Sequence, residues 1–137
     1  MPFFYRDPSK EAISVVAESR RKRPKQPLKH DCPFCVGSES VTPPTTSQIP
    51  VNGKNWKARS FRNRFPILEP VGSFKPIDRF FWKSRGFGEH EVIVESDRHE
   101  ELFQNFSPQQ LSRVFSLYCN RFKALMARDG IEYVILF

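Results

Sequence analysis

The sequence predicts an α+β chain in which several short strands accompany one long helix. Three stretches carry that expectation. "EHEVIVESD" (residues 89–97) alternates as a strand does, with Val92 and Val94 on one face and Glu91, Ile93 and Glu95 on the other. "EAISVVAES" (11–19) has the β-branched content of a short strand. "SPQQLSRVFSLYCNRFKALM" (107–126) has helical spacing and a start signal.

Taken in order, the chain opens with "MPFFYRDPSKE", which turns acidic and polar too soon for a signal peptide. After the 11–19 strand, residues from Arg20 to about Asn55 are expected to be mostly loop. They carry six prolines (Pro24, Pro27, Pro33, Pro43, Pro44 and Pro50) and the Ser/Thr-rich "SESVTPPTTSQ". A loop of that length calls for a function or a metal to order it. "WKARSFRNRFPIL" (56–68) reads as a strand that ends at Asn63, ahead of Pro66, with Trp56, Ala58 and Ser60 opposite Lys57 and Arg59. "PVGSFKPIDRFFWKSRGFG" (70–88) reads as aromatic-rich loop.

In the helix, Ser107 is the expected N-cap, Pro108 suits the first turn, and Gln110 occupies the capping-box position. Leu111, Val114, Phe115, Tyr118, Phe122, Leu125 and Met126 mark the expected buried stripe, and Gly130 the stop. "IEYVILF" (131–137) then reads as a strand. An apolar strand needs neighbours on its edge and faces, so the sequence is expected to continue in a longer protein.

At 137 residues, 39% hydrophobic, the chain can bury one core. No apolar run approaches the roughly 20 residues of a membrane span. The three cysteines suit a reducing compartment, so a cytoplasmic protein without a membrane partner is expected. The net charge is +7, and Arg20, Arg21, Lys22, Arg23, Lys25 and Lys29 supply six of the seven excess charges. That basicity is local and needs a local explanation.

The chemistry centres on "KHDCPFCVGS", where Cys32 and Cys35 form a Cys-x-x-Cys pair. A redox pair would sit at a helix start just after a strand, and this one does not. Two unpartnered loop cysteines are the plain alternative. The preferred reading is half a metal site, with thiolates about 2.3 Å from a zinc ion. His30, His90, His99 and Cys119 are the candidates to complete it. His30 is too near Cys32 to span a tetrahedron comfortably, and Cys119 reads better as a small buried hydrophobe in the helix. Spacing does not choose between His90 and His99, which flank the best strand. Glu91 and Glu95, a carboxylate pair on one face of that strand, are expected to face solvent or a partner strand.

Four motifs, "SRRKRPKQ", "HDCPFCVG", "ARSFRNRFPIL" and "GEHEVIVESDRHEE", occur here in the order they have in the galactose-1-phosphate uridylyltransferase family, which the chain resembles from about Ser14 to Phe137. That family is the transferase branch of the histidine-triad superfamily. The resemblance implies an antiparallel sheet with one long helix across it, half of a histidine-triad-like unit, with a zinc knuckle loop. It implies a nucleotidyltransferase of carbohydrate (galactose) metabolism, foremost a UDP-glucose–hexose-1-phosphate uridylyltransferase. An ADP-sugar phosphorylase or adenylyltransferase is the near alternative.

Residue by residue, the resemblance puts Cys32, Cys35 and His99 on a structural zinc. It places the fourth ligand and the nucleophilic histidine in a His-Pro-His motif after the next strand. Residues 1–137 would then be an N-terminal uridylyltransferase-like domain that stops before that motif and holds no catalytic residue. Arg20 and Arg23 match family arginines that approach the nucleotide phosphates. Asn63, Arg64 and Phe65 match the segment that lines ribose and base, although some members carry an acidic residue where Arg64 stands. Phe34, inside the knuckle, packs either on the base or within its loop. The implied partners are a nucleotide sugar, a sugar phosphate and, for the intact enzyme, a second copy. A zinc-stabilised nucleic-acid-binding module is the competing class. It suits the basic run but not the acidic "GEHEVIVESDRHEE".

Overall fold

The computed structural model describes residues 1–10, 12–23, 32–53, 55–72, 75–78 and 82–137. Its strands are β1 (Pro2–Arg6), β2 (Ile13–Ala17), β3 (Thr45–Ile49), β4 (Ala58–Arg62), β5 (Pro76–Asp78), β6 (Lys83–Arg85) and β7 (Glu91–Val94), and its long helix is α1 (Pro108–Met126). The α+β class is as expected. The single sheet is not: two small antiparallel sheets form, one in each of two compact units.

The first unit, Met1–Lys25 with Phe65–His90, holds a four-stranded sheet in the order β2-β1-β6-β5. Asp7 turns the β1–β2 hairpin, because its carboxylate accepts from both the amide (2.8 Å) and the hydroxyl (2.7 Å) of Ser9. The Lys83 ammonium lies 4.2 Å from the centre of the Phe3 ring across the β1–β6 pair, a cation–π contact. Two of these strands, β5 and β6, fall in the stretch expected to be loop. Each is three residues long, too short for a period to show, and pairing defines it. Gly88 then turns the chain at φ +152°, and a Cβ there would stand 2.8 Å from Leu68 Cδ1.

The second unit, Gln26–Arg64 with Glu91–Phe137, holds a three-stranded sheet in the order β3-β4-β7, covered by α1. Its core joins Ala58, Phe106, Val114 and Leu117, with Ile49, Ile93, Leu111 and Tyr118 packed around them. The strand β3 lies in the Ser/Thr-rich stretch also expected to be loop, and it pairs with β4 from Thr45↔Phe61 to Ile49↔Ala58. In β4 the expected polar face is absent. Ala58, Arg59, Ser60 and Phe61 are all buried, because Ala58 meets the helix cluster while Arg59 and Phe61 lie under the cysteine loop.

The helix begins where its signals put it. Ser107 Oγ accepts from the Gln110 amide at 3.1 Å. The Gln110 side chain does not close the capping box. It donates instead to the carbonyls of Lys57 (2.8 Å) and Glu95 (2.6 Å), tying the helix start to the sheet. The buried stripe is rotated from the expected one: Gln110, Val114 and Leu117 are buried, whereas Phe115, Phe122, Met126 and Cys119 are exposed.

Glu91 and Glu95 account for much of that rotation. They face α1, not solvent or a partner strand: Glu91 is ion-paired with Arg121, and Tyr118 donates to Glu95. Burial raises the Glu95 carboxyl above its usual range. Residues 131–137 follow without forming the expected strand, with Tyr133, Ile135, Leu136 and Phe137 exposed. Among the described residues no helix is long and apolar enough to cross a membrane.

Candidate functional site

The second unit brings Cys32, Cys35 and His99 together, with one ligand atom from each within 4.8 Å of the others. Cys35 Sγ lies 3.2 Å from His99 Nδ1. Adjacent ligands around tetrahedral zinc sit roughly 3.6 Å apart, which follows from bonds of about 2.3 Å to sulfur and 2.0–2.1 Å to nitrogen. The spacing and the donor chemistry therefore fit such an ion. The two thiols also crowd each other: burial, then the neighbouring Cys32 thiol, raises Cys35 above its ordinary pKa. A cation would relieve that crowding by taking both sulfurs as thiolates.

The local sequence explains the geometry. The cysteine loop is a tight turn in which the Cys35 amide bonds the Cys32 carbonyl (3.3 Å) and the Ser38 amide bonds the Cys35 carbonyl (3.1 Å). Gly37 turns out of it at φ +89°, in the left-handed region. Its amide donates at 2.9 Å to the Glu39 carboxylate, which also accepts from the Trp56 indole at 2.6 Å. These donors, the indole foremost, hold Glu39 below the usual carboxylate range. His99 follows β7 on a turn tied by Ser96, whose Oγ accepts from the Arg98 amide (3.1 Å) and donates to Glu101 (2.5 Å).

The other metal candidates are not in the cluster. His90 belongs to the first unit, where its Nδ1 accepts from the Ile67 amide at 2.9 Å. Burial, and then the guanidiniums of Arg20 and Arg23, hold the His90 imidazole below its ordinary pKa. Cys119 is exposed on α1, so its expected burial does not hold. His30 lies outside the described residues, as do Lys25 and Lys29 of the basic run.

In the first unit, Arg20 is half-buried and donates from Nη1 to the Phe65 carbonyl at 3.1 Å. Arg21, Lys22 and Arg23 are exposed. Phe65 is itself half-buried. In the second unit, Asn63 is half-buried and Arg64 exposed, just past the end of β4. Phe34 stacks on Phe61, with ring centroids 6.0 Å apart, and leaves 43% of its surface exposed. It thus packs down onto β4 while keeping an open side.

Sequence reasoning missed the residues around the cluster, namely Glu39, Trp56, Lys57, Arg59 and Asp97. The one available signal was the Trp and Arg three apart at the start of a strand, which local pattern reads as ordinary alternation.

These features define an α+β chain with a Cys/Cys/His cluster, and its fold matches those of solved ADP-glucose phosphorylase and uridylyltransferase chains. Its curated relatives are ADP-glucose phosphorylase from Arabidopsis thaliana, 27% identical over 99% of this chain, and galactose-1-phosphate uridylyltransferase from Thermotoga maritima, 26% identical over 90%. The crystal structure of the Arabidopsis thaliana ADP-glucose phosphorylase with bound ADP-glucose superposes over 97% of the chain, at 25% identity and a TM-score of 0.63. The chain spans 42% and 36% of the lengths of the two curated relatives, and 41% of the solved chain. No protein-family model matches it.

Proposed function

We propose that residues 1–137 act as the zinc-holding, nucleotide-binding N-terminal portion of a nucleotidyltransferase that works on a nucleotide sugar and a sugar phosphate. The convergence of Cys32, Cys35 and His99 carries this reading. Those three residues hold the zinc, which is structural: bound, it ties the cysteine loop to the turn after β7. The fourth ligand and the nucleophile are supplied from outside this chain.

The chemistry assigned to the whole enzyme is attack by a histidine nitrogen on the α-phosphorus of the nucleotide sugar. The bond to the sugar phosphate breaks, and the nucleotidyl group is held on the histidine until a second sugar phosphate accepts it. Charge gathers on the phosphate oxygens as the bonds exchange, and Arg20 and Arg23 are suited to hold it through guanidinium hydrogen bonds. Asn63, Arg64, Phe65 and Phe34 are assigned to the nucleoside. The histidine-triad half-unit, the cytoplasmic location and the homodimer belong to the same reading.

Within it, two nucleotides compete. The uridylyltransferase reading follows the order of the motifs. The ADP-sugar reading is favoured by the relative that matches 99% of the chain. Arg64 stands where some family members carry an acidic residue, so neither nucleotide would find a ribose-binding carboxylate there. Calorimetric titration with UDP-glucose and with ADP-glucose, alongside zinc analysis of the purified chain, tests the proposal. Zinc near one equivalent and preferential binding of one nucleotide sugar is the expected result. Binding of neither, with salt-sensitive duplex DNA binding instead, would favour the nucleic-acid module.

A further inference from the structure

Arg59 is a fully buried cation, 0% exposed, in the middle of a small sheet. Its guanidinium lies 5.0 Å from the centre of the Trp56 ring and 4.7 Å from that of Phe61. Nη1 donates to Thr42 Oγ1 at 3.1 Å, Nη2 reaches the Pro33 carbonyl at 3.5 Å, and among the described residues Nε has no hydrogen-bond partner. Burying an incompletely satisfied cation is costly, and an apolar side chain would fill the space between two rings more cheaply. What an apolar side chain would not do is hold a loop carbonyl. The carbonyl that Arg59 reaches belongs to the residue directly after Cys32.

The neighbours of Arg59 complete the pattern. Trp56, under the same guanidinium, donates to Glu39, which takes the Gly37 amide two residues after Cys35. The cysteine loop is thus held between its thiols and again just after them, from one stretch of chain. Lys57, in that same stretch, works on the opposite ligand: its ammonium pairs at 2.5 Å with Asp97, two residues before His99. The Lys57 carbonyl is pinned by Gln110 of α1.

We propose that Arg59 and Lys57 are positioning residues of the metal centre, Arg59 fixing the loop of Cys32 and Cys35 and Lys57 fixing the turn of His99. Two residues apart at the start of the central strand, they set the distance between the thiol pair and the imidazole before any ion arrives. The inference rests on reading the cluster as a metal centre. It assigns the site's preorganisation to groups that are not themselves ligands.

Cobalt(II) tests it on the 137-residue chain, since thiolate-to-cobalt charge transfer and the visible d–d bands report ligand set and tetrahedral geometry. Arg59→Lys keeps the charge but loses the planar fork. Asp97→Asn breaks the pair with Lys57 at a partly exposed position where the fold should survive. Each variant is expected to bind cobalt roughly ten- to a hundredfold more weakly, with an altered d–d envelope and an unchanged far-ultraviolet circular dichroism spectrum. Exchanging the pair, Lys57→Asp with Asp97→Lys, should recover most of the affinity. Wild-type affinity and wild-type bands in both single variants would overturn the proposal. If Arg59→Lys does not fold, Asp97→Asn and the exchanged pair decide the matter, and failure of the exchange to recover binding overturns the role of Lys57. Absence of cobalt uptake by the wild-type chain would instead overturn the metal-centre reading, and this inference with it.

Discussion

Arg121 grips Glu91 across 30 residues with two parallel hydrogen bonds, Nε to Oε2 at 2.8 Å and Nη2 to Oε1 at 2.7 Å. The fork fastens the middle of α1 to the start of β7, and both side chains are largely shielded, at 13% and 8% exposure. Bidentate geometry and burial separate this pair from an ordinary surface ion pair. Removing one partner strands the other, so Arg121→Ala or Glu91→Ala should destabilise the chain by about 3 kcal/mol. Replacing both, by Arg121→Met with Glu91→Leu, should cost far less than either alone. Urea denaturation of the three variants measures this, and a double variant as weak as the sum of the singles would contradict it.

The metal assignment predicts which histidine matters. Cys32→Ser and His99→Ala should each lower the zinc content of the purified chain, and His90→Ala should leave it unchanged. With three protein ligands where structural zinc sites normally have four, the ion should also leave to a mild chelator. Plasma emission analysis after dialysis reads both effects. Zinc lost in His90→Ala and kept in His99→Ala would reverse the assignment.

For the basic run, alanine at Arg20 or Arg23 in the full-length enzyme should lower turnover at least about tenfold, the equivalent of roughly 1.4 kcal/mol of transition-state stabilisation. Arg21→Ala and Lys22→Ala should have little effect. Steady-state kinetics with the nucleotide sugar checks this, and equal losses at all four positions would point to diffuse electrostatics instead.

His90 gives a pH signature. Its native pKa is depressed, by burial first and then by Arg20 and Arg23. An unfolded histidine protonates near about 6.5. As the pH falls through that value, the unfolded chain takes up a proton that the native chain does not, and stability drops until the lower native pKa is passed. Above about pH 6.5 the contribution is fully present. His90→Gln keeps an acceptor for the Ile67 amide, so it should flatten the fall in urea midpoint between pH 7.5 and 5.5. A proton NMR titration placing the His90 midpoint at or above the free value would refute this.

What the sequence reveals is what short stretches decide for themselves. Ser107 and Pro108 start α1 because a cap needs only its own four residues. The β7 strand is legible from its alternation. The thiol pair is legible too, but the choice of His99 over His90 waits on tertiary structure or on a resemblance. The strands β3, β5 and β6 are illegible because Thr, Ser, Pro and Lys at such lengths become strand only when a partner takes their hydrogen bonds. The helix face is misread for a related reason. Arg121 and Tyr118 reach carboxylates on β7, which puts charged and polar groups on a buried side and turns Phe115 and Phe122 outward. Hydrophobic periodicity has no means of seeing that exchange.

The two-sided burial of β4 has a consequence for how the second unit opens. Its amides lie between β3 and β7, beneath α1 on one face and the cysteine loop on the other. No local fraying bares them, so deuterium should enter β4 only when the whole unit comes apart, long after it has replaced the amide protons of β3 and the cysteine loop. The slowest-exchanging stretch would then contain Arg59, and the chain would be most rigid just behind the Cys/Cys/His cluster.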